Sequence, residues 1–302
     1  MKKPKLSIVI LSYNTVDLLR ECLLSLKKVR GEVGFEVIVS DNASTDGSPE
    51  MVEDEFPWVK KIIKTRINIG FAAGNNRARE YVNGEFVLFL NPDTIIHKDT
   101  LKKCRQYLDN HKDVGALTCK IVLPTGQLDK DARRSFITPW IGLTHIYLKL
   151  DRIFPKSKLF AKYWYGYVSP NTEHEVDALQ GAFFFTRRAV LDQVGWFDED
   201  YFLNAEDIDL SWKIKEKGWK IFYYPNVSIT HVKGAAKGKT KRTKQNVPLK
   251  EKLKYRLAEV DAMEVFVKKR LWRNYPLALN LLVLTGIKLL RFIRATKVIL
   301  LG

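Results

Sequence analysis

Acidic residues are scarce in the last quarter of the chain. Residues 233–302 hold 4 Asp and Glu against 18 Lys and Arg, whereas residues 1–232 hold 30 against 33. The net charge of +17 at pH 7 therefore belongs to the tail. A tail so one-sided seeks a polyanion: anionic lipid, nucleic acid or a pyrophosphate. Cysteine is also scarce. Cys22, Cys104 and Cys119 have no CxxC spacing, which argues against a metal–thiolate site and for a reducing compartment. No long apolar run occurs. Residues 277–287 are apolar except for Asn280, Thr285 and Gly286, and cations follow at Lys288, Arg291, Arg294 and Lys297; this is roughly half of what a membrane span needs. No signal-peptide pattern is visible, because the basic start is followed by apolar residues 6–11 only. GxGxxG after the first strand is missing too, which argues against a Rossmann dehydrogenase.

What is present is a chain of 302 residues, 46% hydrophobic, enough for a large core in one or two domains. Its first half alternates short apolar runs with helical patterns. Strands are expected at 6–11, 35–40, 62–63 and 85–90, and helices after Asn14 or Thr15, at Ser48-Pro49-Glu50 and over 72–81. That alternation predicts an α/β fold with a mostly parallel central sheet flanked by helices. Residues 124–170 read as a long insertion with one or two short helices, lying over the active-site face. Strand character returns at 181–186 and 220–224. Amphipathic helices are expected over 251–273 and from Pro276.

Ligands of such sheets bind at the carboxyl ends of the strands. Here those ends read Ser12-Tyr13-Asn14, Asp41-Asn42-Ala43-Ser44 and Asn91-Pro92-Asp93-Thr94. Each motif has two roles open to it. Asp41 can accept from a base imide or a ribose hydroxyl, or cap its own turn. The Gly-bearing loop from Asn68 to Asn76 can face an anion, or bring a helix close to the sheet. Asn91 and Asp93 can offer oxygens to Mg2+ or Mn2+, or form an Asn-Pro-Asp turn. His231 can ligate, or hold structure; the basic run with Lys233, Lys237 and Lys239 that follows it can close over a diphosphate, or be solvated. The acids Glu206, Asp207 and Asp209 can supply a general base, or complement a helix dipole against Lys213, Lys215 and Lys217.

Taken in order, these segments resemble glycosyltransferase family 2, and more narrowly its bacterial rhamnosyltransferase-like branch. The segments are Ser12-Tyr13-Asn14, Asp41 to Ser44, Asn68 to Asn76, Asn91 to Thr94, residues 181–199, Asn204 to Leu210 and Ile229-Thr230-His231, covering residues 5–235. The resemblance implies a glycosyltransferase-A fold, a nucleotide-sugar donor, a divalent metal (Mg2+ or Mn2+) and inversion at the anomeric carbon. Ser12, Tyr13 and Asn14 would line the nucleotide site, and Asp41 and Asn42 would hold base and ribose. Asn68, Gly70, Phe71, Gly74 and Asn75 would shape that pocket. Asp93 would bind the metal, with Asn91 standing where the family usually has a second Asp, and His231 would add a metal or diphosphate contact. Asp207 matches the general base. Glu206 would sit beside it, Asp209 would keep the helix-start role, and Gln180, Gly181 and Trp196 would line the acceptor subsite.

The expected organisation is a catalytic domain over 1–235, with a nucleotide-sugar half (1–123) and an acceptor half (124–235), followed by a basic amphipathic region over 236–302. Cations beside long aliphatic stretches point to an interfacial helix on an anionic membrane surface rather than to nucleic acid; packing on the domain or a dimer contact is the other role for such helices. The expected protein is cytoplasmic, peripheral on the inner face of the cell membrane. It would move a sugar from dTDP-rhamnose or a UDP-sugar to a glycan or lipid-linked glycan acceptor in cell-surface polysaccharide synthesis. The alternatives are a non-catalytic nucleotide-sugar-binding protein and a basic-tail polyanion binder.

Overall fold

The computed structural model describes residues 4–232 and 249–301; the basic run 233–239 lies outside the described residues. The first half folds as β1 (Leu6–Ser12), α1 (Val16–Val29), β2 (Phe35–Asp41), α2 (Ser48–Glu55), β3 (Lys61–Lys64), α3 (Phe71–Asn76) and β4 (Phe86–Leu90). Then come β5 (Thr94–Ile96), α4 (Thr100–Asn110) and β6 (Val114–Val122). The insertion carries α5 (Pro139–Ile141), a π-helical turn at Gly142–Tyr147 and α6 (Leu150–Ile153). After it follow β7 (His174–Glu175), β8 (Phe183–Arg187), α7 (Arg188–Val194), α8 (Glu206–Glu216), β9 (Lys220–His231), α9 (Leu249–Phe266) and α10 (Leu277–Leu301).

The strands form one sheet in the order β3-β2-β1-β4-β8-β6-β9-β5, with β7 added on β9. From β3 to β4 every pairing is parallel. Leu6, Ile8, Val9 and Ile10 of β1 are fully buried, as a strand covered by helices on both faces must be. The other half is mixed. β8 runs antiparallel to both β4 and β6, while β6 and β9 are parallel. The run Phe183-Phe184-Phe185 is buried throughout, and a strand buried on both faces carries no sequence mark of its direction. β5 and β6 escape the periodicity as well: β5 is three residues long, and Gly115, Thr118 and Lys120 interrupt β6.

Parallel register brings the strand ends to one edge. Ser12 pairs with Asp41, and Ile10 with Leu90, so Asn91 begins the loop beside them. The loops that follow β1 and β2 are bonded together. Asp46 Oδ2 accepts from the Val16 N–H (2.8 Å) and Oδ1 from the Ser48 N–H (3.1 Å), serving the first turns of α1 and α2 together. Thr15 occupies the α1 cap position without a side-chain cap bond.

The C-terminal helices pack on the domain. Val260, Phe266 and Leu271 bury themselves with Tyr201, Ile208 and Ile287 in a second apolar cluster against α8. Asp209, expected only to complement the helix dipole, is fully buried and ion-paired to Arg270 at 2.7 Å, with the Tyr201 hydroxyl at 3.1 Å. Among the described residues no helix is long and apolar enough to cross a membrane.

Candidate active site

Three clusters lie along the sheet's carboxyl edge. The first is the nucleotide corner. Asp41 is 2% exposed. Its Oδ1 accepts from the Ser44 N–H at 2.8 Å, so the turn-capping role is real, but the buried Oδ2 accepts no hydrogen bond among the described residues. Burial pushes this carboxyl upward, and the Ser44 bonds only partly oppose the shift. Ser12 is buried with its hydroxyl 3.1 Å from that of Thr15, and Tyr13 beside it is half-buried. Asn14 is committed to the neighbouring loop: its Oδ1 accepts from the Thr45 N–H at 2.8 Å.

Asn42 departs from its expected role. Its Nδ2 donates to Asn68 Oδ1 (2.8 Å) and to the Gly70 carbonyl (3.1 Å), and its Oδ1 accepts from the Ile69 N–H (2.9 Å). An amide so occupied has no donor left for a ribose; Asn42 shapes the loop instead. Asn68 Oδ1 also accepts from the Gly70 N–H at 2.9 Å, and its Nδ2 donates to the Tyr255 hydroxyl of α9 at 3.1 Å. Gly70 has φ +92°, and a Cβ there would sit 2.5 Å from the Phe202 carbonyl. Only glycine allows that approach, which lets the Phe71 N–H donate to the Phe202 carbonyl at 2.7 Å. Within α3, the Gly74 carbonyl accepts from the Ser40 hydroxyl (2.7 Å), and Asn75 Nδ2 donates to the Phe71 carbonyl (2.9 Å). Asn91 donates its N–H to the Ala182 carbonyl at 3.2 Å, linking this corner to the loop before β8.

The second cluster joins Asp93, His231 and Asp129. The antiparallel β5–β9 pairing sets Thr94 against His231 and so brings Asp93 to the imidazole. His231 Nδ1 lies 2.8 Å from Asp129 Oδ2, and Nε2 lies 3.3 Å from Asp93 Oδ1. Asp93 is 4% exposed, and its Oδ1 completes no hydrogen bond among the described residues. Burial alone would lower the His231 pKa, but the hydrogen bond to Asp129 and the nearby Asp93 carboxylate outweigh it and raise the value to about 9. A buried carboxylate oxygen facing an imidazole whose other nitrogen rests on a carboxylate is a donor set suited to Mg2+ or Mn2+. Among the described residues no three His, Cys, Asp or Glu side chains converge as a complete cation site, so other oxygens would have to finish the coordination.

The third cluster surrounds Asp207 in the first turn of α8. Asn204 and Ala205 precede the helix with φ of 71° and 63°, a left-handed pair that costs a non-glycine backbone on the order of 1–3 kcal/mol per residue. That turn buries Glu206 and Asp207. Asp207 Oδ2 accepts from Arg134 Nη2 (2.7 Å) and from the Gly181 N–H (3.0 Å), and Oδ1 from the Ile208 N–H (2.8 Å). Arg134 also donates to the Leu179 carbonyl. Burial by itself would lower the Arg134 pKa; the Asp207 charge more than reverses this. Beside them Gln180 Oε1 is buried and accepts no hydrogen bond among the described residues. Gly181 packs under Phe71, whose Cζ a Cβ would meet at 3.0 Å, so the loops of clusters one and three touch there.

Trp196 does not belong with them. It is 1% exposed; its indole donates to Asp192 and packs edge-on against Phe89. A ring in the core presents no surface to an acceptor, so Trp196 is withdrawn from the acceptor subsite. Arg134 and Asp129 are the site residues that the sequence pattern missed.

Known proteins resemble this chain in sequence and in fold. A family model described as glycosyl transferase family 2 matches residues 7–195. An N-acetylglucosaminyl-diphospho-decaprenol L-rhamnosyltransferase of Mycobacterium tuberculosis is 27% identical over 245 residues, 78% of either chain. The rhamnosyltransferase WbbL of Escherichia coli is 25% identical over 170 residues, covering 54% of this chain and 60% of WbbL. Among solved structures, the mannosyltransferase PcManGT of Pyrobaculum calidifontis, in complex with GDP-Man and Mn2+, superposes with a TM-score of 0.55 at 19% identity over 99% of this chain and 88% of that one. The sheet and its flanking helices are thus the glycosyltransferase-A fold expected from the motifs. With a family model spanning more than half of its length, the chain belongs to glycosyltransferase family 2.

Proposed function

We propose that the chain is an inverting, metal-dependent enzyme that moves a sugar, rhamnose first among the candidates, from a nucleotide diphosphate to a lipid-linked glycan. It would act in cell-surface polysaccharide synthesis, peripheral on the inner face of the cell membrane. Relatives named as rhamnosyltransferases, one of them acting on a diphospho-decaprenol, favour dTDP-rhamnose and a lipid-linked acceptor over UDP-hexoses. The observation that carries the reading is the separation of duties between two buried carboxylates. Asp93 keeps a bare oxygen toward His231, whereas Asp207 is held by Arg134 and the Gly181 N–H.

An inverting displacement needs a base for the acceptor hydroxyl and an electrophile for the leaving group. Asp207 Oδ2 is occupied by two donors, whereas Oδ1 holds one bond and has a lone pair left. Oδ1 takes the acceptor proton as the acceptor oxygen attacks the anomeric carbon and the bond to the diphosphate breaks. Glu206, adjacent on the same turn, and Gln180 orient the acceptor. Asp41 Oδ2 receives the nucleobase or ribose donor, and the Ser12–Asn14 loop and α3 wall the pocket. Asp93 and His231 Nε2 would hold the divalent ion, with diphosphate oxygens completing its shell. Such an ion neutralises charge developing on the leaving diphosphate.

The test is a donor screen across dTDP-rhamnose, UDP-sugars and GDP-sugars, with a lipid extract as acceptor and Mn2+ or chelator present. The expected result is one preferred donor, loss of transfer with chelator, and a product of inverted anomeric configuration by NMR. Retained configuration, or transfer undiminished by chelator, overturns the mechanism.

A further inference from the structure

Fifteen of the seventeen large apolar side chains that stand exposed among the described residues lie in two segments. One is the insertion, from Trp140 through Leu148 and Phe154 to Leu159; the other is α10, from Leu277 through Leu289 and Phe292 to Leu300. The two segments meet. A Cβ on Gly286 of α10 would sit 3.0 Å from the Tyr147 hydroxyl of the insertion. On α10 the inner side holds Val283, Leu284, Ile287 and Leu290 against the second apolar cluster. The exposed residues 281, 282, 285, 289, 292 and 293 recur at helical spacing on the opposite side. An apolar surface of this extent on a folded domain marks an interaction site.

Its charge selects the partner. Lys149, Arg152, Lys156 and Lys158 are exposed among the apolar tips of the insertion, and Lys288 and Lys297 stand beside those of α10. Residues 277–301 contain no acid, and residues 139–162 contain only Asp151, which is buried against His145. Two copies of such a surface would face each other with like charge. An anionic bilayer complements it: apolar tips enter the headgroup boundary while the long cationic side chains reach phosphates.

We infer that the insertion and α10 form one composite surface that seats the enzyme on anionic lipid. The surface is continuous with the catalytic pair. Arg134 holds Asp207, the Phe136 ring packs at a tilt against Trp212 of α8 with centroids 4.7 Å apart, and α5 starts at Pro139. A polyprenyl-borne acceptor would therefore rise from the membrane along the insertion to reach Asp207. This deepens the lipid-linked acceptor reading and rests on it for that direction of approach alone.

The test uses the full chain with two double variants of exposed residues, Leu148→Glu with Phe154→Glu, and Leu289→Glu with Phe292→Glu. Co-sedimentation is measured with phosphatidylcholine vesicles that contain phosphatidylglycerol and with phosphatidylcholine alone, without nucleotide or acceptor, so failure of the catalytic reading leaves it unaffected. The expected result is binding to anionic vesicles only, weakened by roughly tenfold or more in either double variant, with transfer to a water-soluble acceptor unchanged. Wild-type affinity in the insertion variant overturns the composite surface. Equal binding to neutral vesicles overturns the lipid class. A wild-type dimer, by light scattering, that both double variants dissolve would assign the surface to a second copy.

Discussion

Arg134 Nη2 stands 2.7 Å from Asp207 Oδ2, and each side chain is at most one-tenth exposed. A buried guanidinium and carboxylate in contact are costly to separate, because either one left alone is an uncompensated charge. For the site, the pair helps to tie up Oδ2, so that Oδ1 is the oxygen with a lone pair left.

Asp207→Asn is expected to lower transfer by about 10²–10⁴-fold, the range typical for loss of a general base. It should also lower stability, because the amide oxygen still accepts from Arg134 but no longer balances its buried charge. Arg134→Met should be worse for stability, by about 3–5 kcal/mol, because it strands Asp207. Urea unfolding and transfer assays on both variants separate the roles. Full transfer by a natively folded Asp207→Asn protein would remove Asp207 as the base.

Gly181→Ala tests the contact between the donor and acceptor loops. The added methyl meets Phe71 Cζ at 3.0 Å, tighter than ordinary van der Waals contact, so the ring or the loop must give. Overpacking of this kind costs about 1–3 kcal/mol. It should move the Gly181 N–H away from Asp207 and lower kcat more than it raises KM for the donor. A change in donor KM alone would place the strain on the nucleotide side.

The residues nearest in sequence were the most legible. Ser12 and Asp41 end, and Asn91 directly follows, strands that lie side by side and parallel in the sheet, so strand periodicity and polar strand ends were enough to put them at one edge. Asp207 stood out through the acids around it at a loop-to-helix junction. Arg134 did not, because its partner is 73 residues away and an insertion without periodicity separates them. Asp129 was hidden in the same way, 102 residues from His231. Trp196 was tied to the acceptor only through the family resemblance, which says nothing of burial, and its backbone, at φ 63°, turns the ring into the core. Asp209 misled in the opposite direction: its position fitted a helix dipole, but burial and Arg270 were tertiary facts.

The Asp209–Arg270 pair makes a prediction about the C-terminal helices. Asp209 is fully buried, and Arg270 is the cation that reaches it from the segment after α9. Arg270→Met should destabilise the protein by about 3–5 kcal/mol by leaving that carboxylate alone. Adding Asp209→Leu should recover much of the loss, since a buried pair replaced by apolar groups is often neutral. Urea midpoints of the single and double variants decide it. Equal midpoints in the two would mean that the ion pair does not hold the helices to α8.

His231 should give the metal-free protein a pH-dependent stability of defined sign. Its pKa in the folded chain is about 9, against an ordinary value near 6.5 in the unfolded chain. The imidazolium between Asp93 and Asp129 therefore contributes in full below about pH 6.5, and the contribution is lost as pH rises through 9. Its size has an upper bound on the order of 3 kcal/mol, from the separation of the two values. Unfolding by urea between pH 6 and pH 10, titration limits set on either side of these values, should show stability falling with pH in the wild type and a much flatter profile in His231→Gln. Mn2+ adds an independent readout, because ligation at Nε2 requires that nitrogen to lose its proton. Binding followed by calorimetry in buffers of different ionisation enthalpy should report proton release at pH 7.5, a value about one and a half units below the folded pKa, and none in His231→Gln. A wild type whose stability rises over the same interval, or that binds Mn2+ without releasing protons, would show that His231 is not the charged bridge between the two carboxylates.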